Sequence, residues 1–219
     1  MDLGGGVIVS LNEIETTLLK AARGAGYGWG VAEEAGAAAR WLAQHDLPWA
    51  ETAAAILTEN AVRLVGTDRA MSNPLVAGTS SCDWISEWSC DDPPAEGDTR
   101  RGLTAVLAPL WLAAVIGVCG RGSETHVSLE WRGAALGIGR GALSGARGNL
   151  IDPGPVDVSI QVSRPATAVP VPARASAVGG YNVDETIWHA LNKLVKRTYV
   201  PASFRSREMG AGAGTSDND

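Results

Sequence analysis

The chain has 219 residues, 45% of them apolar and 19% charged, and a formal net charge of −6. That suits one domain with a sizeable buried core and excludes the low-hydrophobicity profile of a disordered chain. The negative balance argues against a basic face that would hold nucleic acid, and the eight Trp carry little functional weight in so Ala/Gly/Arg-rich a sequence.

The opening MDLGGGVIVSLNE has an acidic second residue and neither a basic n-region nor a long apolar h-region, so no secretory signal is expected. Val7 to Val9 read as a short strand. Ser10-Leu11-Asn12-Glu13 fits a capping box, in which the Ser hydroxyl and the Glu carboxylate each satisfy a free backbone N–H. Leu11, Ile14, Leu18 and Ala22 then share one face of a first helix, which Gly24 is expected to end. A second helix is predicted from about Val31 to His45, with Val31, Ala35, Ala38 and Leu42 as its buried stripe. Pro48 suits the first turn of a third helix, with Ala53, Ile56 and Leu57 facing inward. Residues 1–65 thus read as a helical layer. Trp41 and Trp49 are expected on helix surfaces.

Asn73-Pro74, Gly78 and the acidic run DDPPAEGD at 91–98 are turn and loop chemistry. TSSCDWISEWSC, at 79–90, reads as a short helix or an irregular packed loop. From Gly102 to Gly120 the chain runs nineteen residues without a charge, close to membrane-spanning length. It is Ala/Gly-rich, contains Pro109 and stands alone, so a buried core segment is expected and no membrane contact, with Cys119 an inert core thiol. THVSLEWRG at 125–133 and VDVSIQVS at 156–163 alternate as strands, and GAALGIGRGALSGARG at 133–148 reads as a Gly-rich hairpin. Residues 103–163 form the strand-rich core of this scheme.

RPATAVPVPARASAVGG at 164–180 is read as an extended linker. Asn182-Val183-Asp184-Glu185 caps a last helix with Ile187, Leu191, Leu194 and Val195 on its stripe, so residues 181–219 read as helix and tail. The order helices, strands, helix predicts a single α+β domain with antiparallel strands, an N-terminal helical layer and a C-terminal helix carrying an extended Gly/Asp tail.

GAGYGWG places glycines at 24, 26, 28 and 30, just ahead of a helix start. Such a loop can aim bare N–H groups at a phosphate or carboxylate, which makes Gly26, Gly28 and Trp29 candidate ligand-binding residues. The spacing departs from the dinucleotide fingerprint, and a tight helix-to-helix corner that needs small residues is the plainer reading. GIGRGALSG at 137–145 has Ala142 at the third fingerprint position and no Lys-Ser/Thr pair after it, so its glycines read as hairpin glycines. His45, His126 and His189 share no local spacing, and Cys82 and Cys90 stand too far apart for a zinc pair. No metal site is expected and no cofactor is evident. No G-x-S-x-G elbow appears, and no catalytic residue is assigned. Three cysteines, Cys82, Cys90 and Cys119, are an odd number; a disulfide framework is not expected, and the simple expectation is a reducing cytoplasm.

The C-terminal stretch joins Arg197, Arg205 and Arg207 to Tyr199, Ser203, a glycine hinge and the terminal Asp217 and Asp219. Forked guanidinium donors bind two oxygens of a carboxylate or phosphate at once. Gly210, Gly212 and Gly214 would let an arm fold back and bring Asp217 and Asp219 toward those arginines. A solvated tail accounts for the same composition.

SLNEIE at 10–15, KAARGAGYGWGVAEEAG at 20–36, RTYVPAS at 197–203 and the closing GAGAGTSDND at 210–219 resemble a family of uncharacterised bacterial proteins, domain of unknown function 3726. The resemblance brings no activity with it. It implies that both ends of the chain are part of the family pattern, which tips the tail toward an ordered arm. Two functions stand side by side: a small cytoplasmic enzyme or binder for a polar, anionic metabolite, and an accessory subunit of a metabolic enzyme. A DNA-binding helix-turn-helix is disfavoured, because Glu33 and Glu34 open the helix that would meet phosphates. An oligomer is compatible with either function.

Overall fold

Ser10 ends a short strand, β1 (Gly6–Val9), and begins a helix, α1 (Leu11–Ala25), in a computed structural model that describes residues 5–63, 72–87, 99–121, 123, 125–163 and 180–199. The Ser10 hydroxyl accepts the Glu13 N–H at 3.2 Å and the Glu13 carboxylate accepts the Ser10 N–H at 2.8 Å, the capping box the sequence predicts. Gly24 does not end α1. The stop comes at Gly26, whose φ of +116° lies in the left-handed region that a Cβ disfavours.

α2 (Trp29–Gln44) starts earlier than the apolar stripe suggested, because Gly28 takes the cap position. Pro48 caps α3 (Trp49–Ile56), and a short α4 (Glu59–Arg63) follows. Trp41 and Trp49 are not surface residues: they are 1% and 5% exposed. The Ala-rich flank of α2 leaves room for the Trp41 indole to lie flush on a glycine of the neighbouring helix, and its N–H donates to the Gly141 carbonyl at 2.7 Å.

Pro74 and Gly78 are helical rather than loop residues, and Asn73 is the cap just before them. Asn73 caps α5 (Pro74–Ser86), its side-chain oxygen accepting the Leu75 and Val76 N–H groups at 3.0 and 3.4 Å, and Pro74 sits at the first position, where no N–H is needed. β2 (Arg100–Val106) and α6 (Pro109–Cys119) follow. The uncharged run therefore splits at Ala108 into the end of a strand and a helix buried from Pro109 to Gly117. Among the described residues no helix is long and apolar enough to cross a membrane. α6 lies at the centre of the core, packed against α2 and α5, and the Trp111 indole N–H donates to the Thr52 hydroxyl at 3.0 Å.

β3 (His126–Trp131), β4 (Ala134–Gly139), β5 (Ala142–Gly148) and β6 (Val156–Ser163) join β2 in an antiparallel sheet of order β2-β6-β3-β4-β5. Val127, Leu129 and Trp131 of β3 and Val156, Val158, Ile160 and Val162 of β6 turn into the core, the alternation that their sequences show. β7 (Tyr181–Asp184), a strand where the sequence suggested only a cap, pairs antiparallel with β1, and Asp184 then caps α7 (Glu185–Lys196). The fold is thus α+β, with a helical layer, a five-stranded antiparallel sheet and a C-terminal helix.

The first and last described elements pack together. β1 pairs with β7, and α1 packs along α7 so closely that a Cβ on Gly24 would fall 1.9 Å from the Leu194 carbonyl oxygen. Gly24 is therefore a close-approach glycine. The linker at 164–179, the acidic run at 91–98, Cys90 and everything beyond Tyr199 lie outside the described residues.

Candidate functional site

The corner between α1 and α2 is anchored by Tyr27, which is 1% exposed. Its hydroxyl donates to the Ile56 carbonyl at 2.6 Å and accepts from the Asn73 side chain at 2.9 Å, while the same Asn73 nitrogen donates to the Ala61 carbonyl at 2.7 Å. Burial pushes the Tyr27 phenol up to about 12, past what the Asn73 bond takes back. Tyr27 and Asn73 together thus pin the corner to α3, α4 and the start of α5.

On either side of Tyr27 the glycines differ. Gly26 is needed for its left-handed φ. Gly28 and Gly30 have no such φ, and a Cβ on either would meet nothing within 4 Å. The fold does not require glycine at these two positions, whereas a group approaching the backbone from outside would. Gly28 caps α2 without any side-chain hydrogen bond, and no acidic residue occupies the first turn. The N–H groups of Trp29, Gly30 and Val31 therefore have no partner within the helix and lie at its positive end.

Arg23, in the last turn of α1, completes the corner. Its Nη1 donates to the Tyr27 carbonyl, and its guanidinium lies over the Trp29 ring, 4.7 Å from the centroid. Trp29 is 63% exposed. Sequence reasoning passed over Arg23, although its place six residues before Trp29, around a glycine turn, was the available signal.

Of the residues expected at a site, Gly26, Gly28 and Trp29 lie together at this corner. Arg197 caps the end of α7, its N–H bonded at 3.0 Å to the same Leu194 carbonyl that abuts Gly24, and the exposed Tyr199 follows it. Ser203, Arg205, Arg207, Asp217 and Asp219 lie outside the described residues. The cations at the ends of α1 and α7 also offset the negative poles of those helices, a structural duty they have with or without a ligand.

Two other openings have different chemistry. A cleft of about 500 Å³ between the α2–α3 turn and β7 is lined, among the described residues, by Asp46, Glu51 and Asp184 and by no Lys or Arg, charges that repel an anion. On the outer face of the sheet, His126 and Ser144 are hydrogen-bonded at 2.9 Å across Gly137, in a shallow trough that also holds Glu130 and Arg147. Burial holds His126 below its ordinary range. No carboxylate among the described residues joins this Ser–His pair. His45 is a structural residue: its Nδ1 donates to the Trp41 carbonyl at 2.8 Å and its Nε2 accepts the Leu143 N–H at 3.3 Å. His189 is exposed and pairs with Glu185 at 3.2 Å. Among the described residues no group of three or more His, Cys, Asp or Glu could hold a metal ion. Cys119, expected to be a core thiol, is exposed, because the last turn of α6 emerges from the core.

Residues 9–76 match the family model described as protein of unknown function (DUF3726), the family that the sequence resembles. The matched span contains the corner and its anchors, from Arg23 through Tyr27 and Trp29 to Asn73; residues 197–203 and 210–219 fall outside it. No curated protein and no solved structure matches the chain.

Proposed function

We propose that this protein is a small enzyme or binding protein for a polar, anionic metabolite, held at the corner between α1 and α2. One observation carries the reading: Gly28 and Gly30 have open space and ordinary backbone angles at the uncapped start of α2. Glycine there serves no steric need of the fold and leaves the first N–H groups open to a carboxylate or phosphate. Arg23, fixed by Tyr27 and Trp29, supplies the matching charge, and Arg197 at the end of α7 is proposed to add a second cation. Ser203, Arg205, Arg207, Asp217 and Asp219, the other residues expected from the sequence to take part, lie outside the described residues, and the truncation below tests their part. The proposed setting is small-molecule metabolism in a bacterial cytoplasm, in keeping with the unpaired count of cysteines and the bacterial family resembled.

An accessory subunit of a metabolic enzyme is the second reading. Burial of Trp41 and Trp49 removes the surface aromatics that first suggested it, and the exposure of Trp29 and Tyr199, at 63% and 60%, now supports it in their place.

Native mass spectrometry of the chain from cell extract, full length beside a version ending at Glu208 and beside Arg23→Gln, tests both. A small anionic adduct on the full chain, weakened in both variants, is the expected result. A second polypeptide retained in all three, with no small adduct, overturns the metabolite reading in favour of the subunit.

A further inference from the structure

Cys82 on α5 and Cys119 at the end of α6 are far apart in sequence, and helix packing sets them side by side. Gly78 and Val115 fix the spacing: a Cβ on Gly78 would lie 2.7 Å from the Val115 Cβ, so the two helices approach more closely than a larger residue would allow. Cys82 stands four residues after Gly78 and Cys119 four after Val115, on the same helix faces. The Cys82 sulfur lies 3.9 Å from the Val115 carbonyl oxygen, one turn before Cys119 on the same helix. Cys119 is exposed and Cys82 half-buried. Both border an apolar cavity of about 80 Å³ walled by Ile85, Ile116, Val127 and Ile138, which leaves room for the sulfurs to close on each other.

We propose that Cys82 and Cys119 are a dithiol–disulfide site, oxidised by a hydroperoxide at Cys119 and closed by Cys82. The exposed Cys119 sulfur attacks the peroxide: an S–O bond forms, the O–O bond breaks, and an alcohol leaves with the thiol proton. The Cys82 sulfur then attacks Cys119 Sγ; an S–S bond forms, the S–O bond breaks, and water leaves with the Cys82 proton. Two thiols are oxidised and one hydroperoxide is reduced. The division of roles follows from the contact. Cys119 reaches solvent while Cys82 is half-buried behind it; the adjacent Cys82 thiol holds Cys119 below its ordinary range, and the Cys119 neighbour together with burial holds Cys82 above its own. Glu34 of α2 and the neighbouring Asp83 face the pair and oppose ionisation of both sulfurs. This site is separate from the α1–α2 corner, and neither reading depends on the other.

The test uses the full chain, reduced, treated with hydrogen peroxide, denatured, alkylated and mapped by mass spectrometry. Alkylatable thiols should fall from three to one, with a Cys82–Cys119 cross-linked peptide, Cys90 alkylated, and all thiols restored by dithiothreitol. Cys90→Ser should keep the cross-link. Cys82→Ser, checked for folding by circular dichroism, should leave a Cys119 sulfenic acid that dimedone traps. A cross-link through Cys90, oxidation of Cys119 to sulfinic acid with no cross-link in the unaltered chain, or three alkylatable thiols after peroxide would each overturn the proposal.

Discussion

The guanidinium of Arg23 lies over the indole of Trp29, 4.7 Å from the ring centroid, and also bonds to the carbonyl of Tyr27 between them. The stack bridges the turn between α1 and α2 and sets a fixed cation beside the first residue of α2. Arg23→Gln removes that charge and the hydrogen bonds it can assist, each worth about 1.5–3 kcal/mol, so affinity for inorganic phosphate or a small dicarboxylate should fall about tenfold or more. Trp29→Ala should cost only a few-fold, since an exposed cation–π contact contributes roughly 0.5–1 kcal/mol. Equilibrium dialysis reads both.

Two glycines of one corner should respond in opposite ways. Gly30→Ala places its Cβ in open space and should raise stability by about 0.5–1 kcal/mol, the usual gain of Ala over Gly in a helix, while weakening phosphate binding. Gly24→Ala drives a Cβ to 1.9 Å from the Leu194 carbonyl, forces α1 and α7 apart, and should cost about 2–3 kcal/mol. Urea unfolding of the two variants separates the close-approach glycine from the ligand glycine.

Tyr27→Phe leaves the Ile56 carbonyl without its donor and takes one of two acceptors from the Asn73 side chain. A buried group left unpaired costs about 1–3 kcal/mol, and the urea midpoint should fall accordingly. Phosphate affinity should fall as well, because Tyr27 holds the carbonyl that positions Arg23.

Stability should decline on both sides of neutrality. Burial, the largest influence, holds His45 below its unfolded value of 6.5, so the unfolded chain binds the proton more readily; the contribution is whole above about 6.5 and is lost as pH falls below it. Tyr27 works from the alkaline side: its phenol is raised from 10.0 to about 12, so its contribution is whole below the lower value and is lost as pH rises through that interval. Urea midpoints measured across pH should fall at both ends, and His45→Gln should flatten the acid limb.

The parts of the fold that a sequence can show are those that local chemistry settles. The capping box at Ser10 and Glu13, the alternation of Val156 to Val162 and the hairpin turn at Arg140 and Gly141, where φ is positive at both residues, are all local. Asn73-Pro74 was ambiguous because the same dipeptide suits a turn and a helix start. Packing of Gly78 against Val115 decides for the helix. β7 is four residues long, and its partner β1 lies at the other end of the chain. Trp41 and Trp49 were misplaced because burial depends on what the Ala-rich faces pack against. At the candidate site the glycine loop was legible and Arg23 had a local signal in its spacing to Trp29, whereas the His126–Ser144 and Cys82–Cys119 pairs are brought together by tertiary contacts with no local spacing to announce them.

The most direct test of an anion site at the α1–α2 corner is a backbone-amide NMR titration of the full chain with inorganic phosphate. Saturable shifts of the Trp29, Gly30 and Val31 amides, accompanied by the Arg23 side chain and lost in Arg23→Gln, are the expected result. Amides at those three residues that stay fixed, while any shifts gather elsewhere, would contradict the site and with it the reading of this protein as an anion binder.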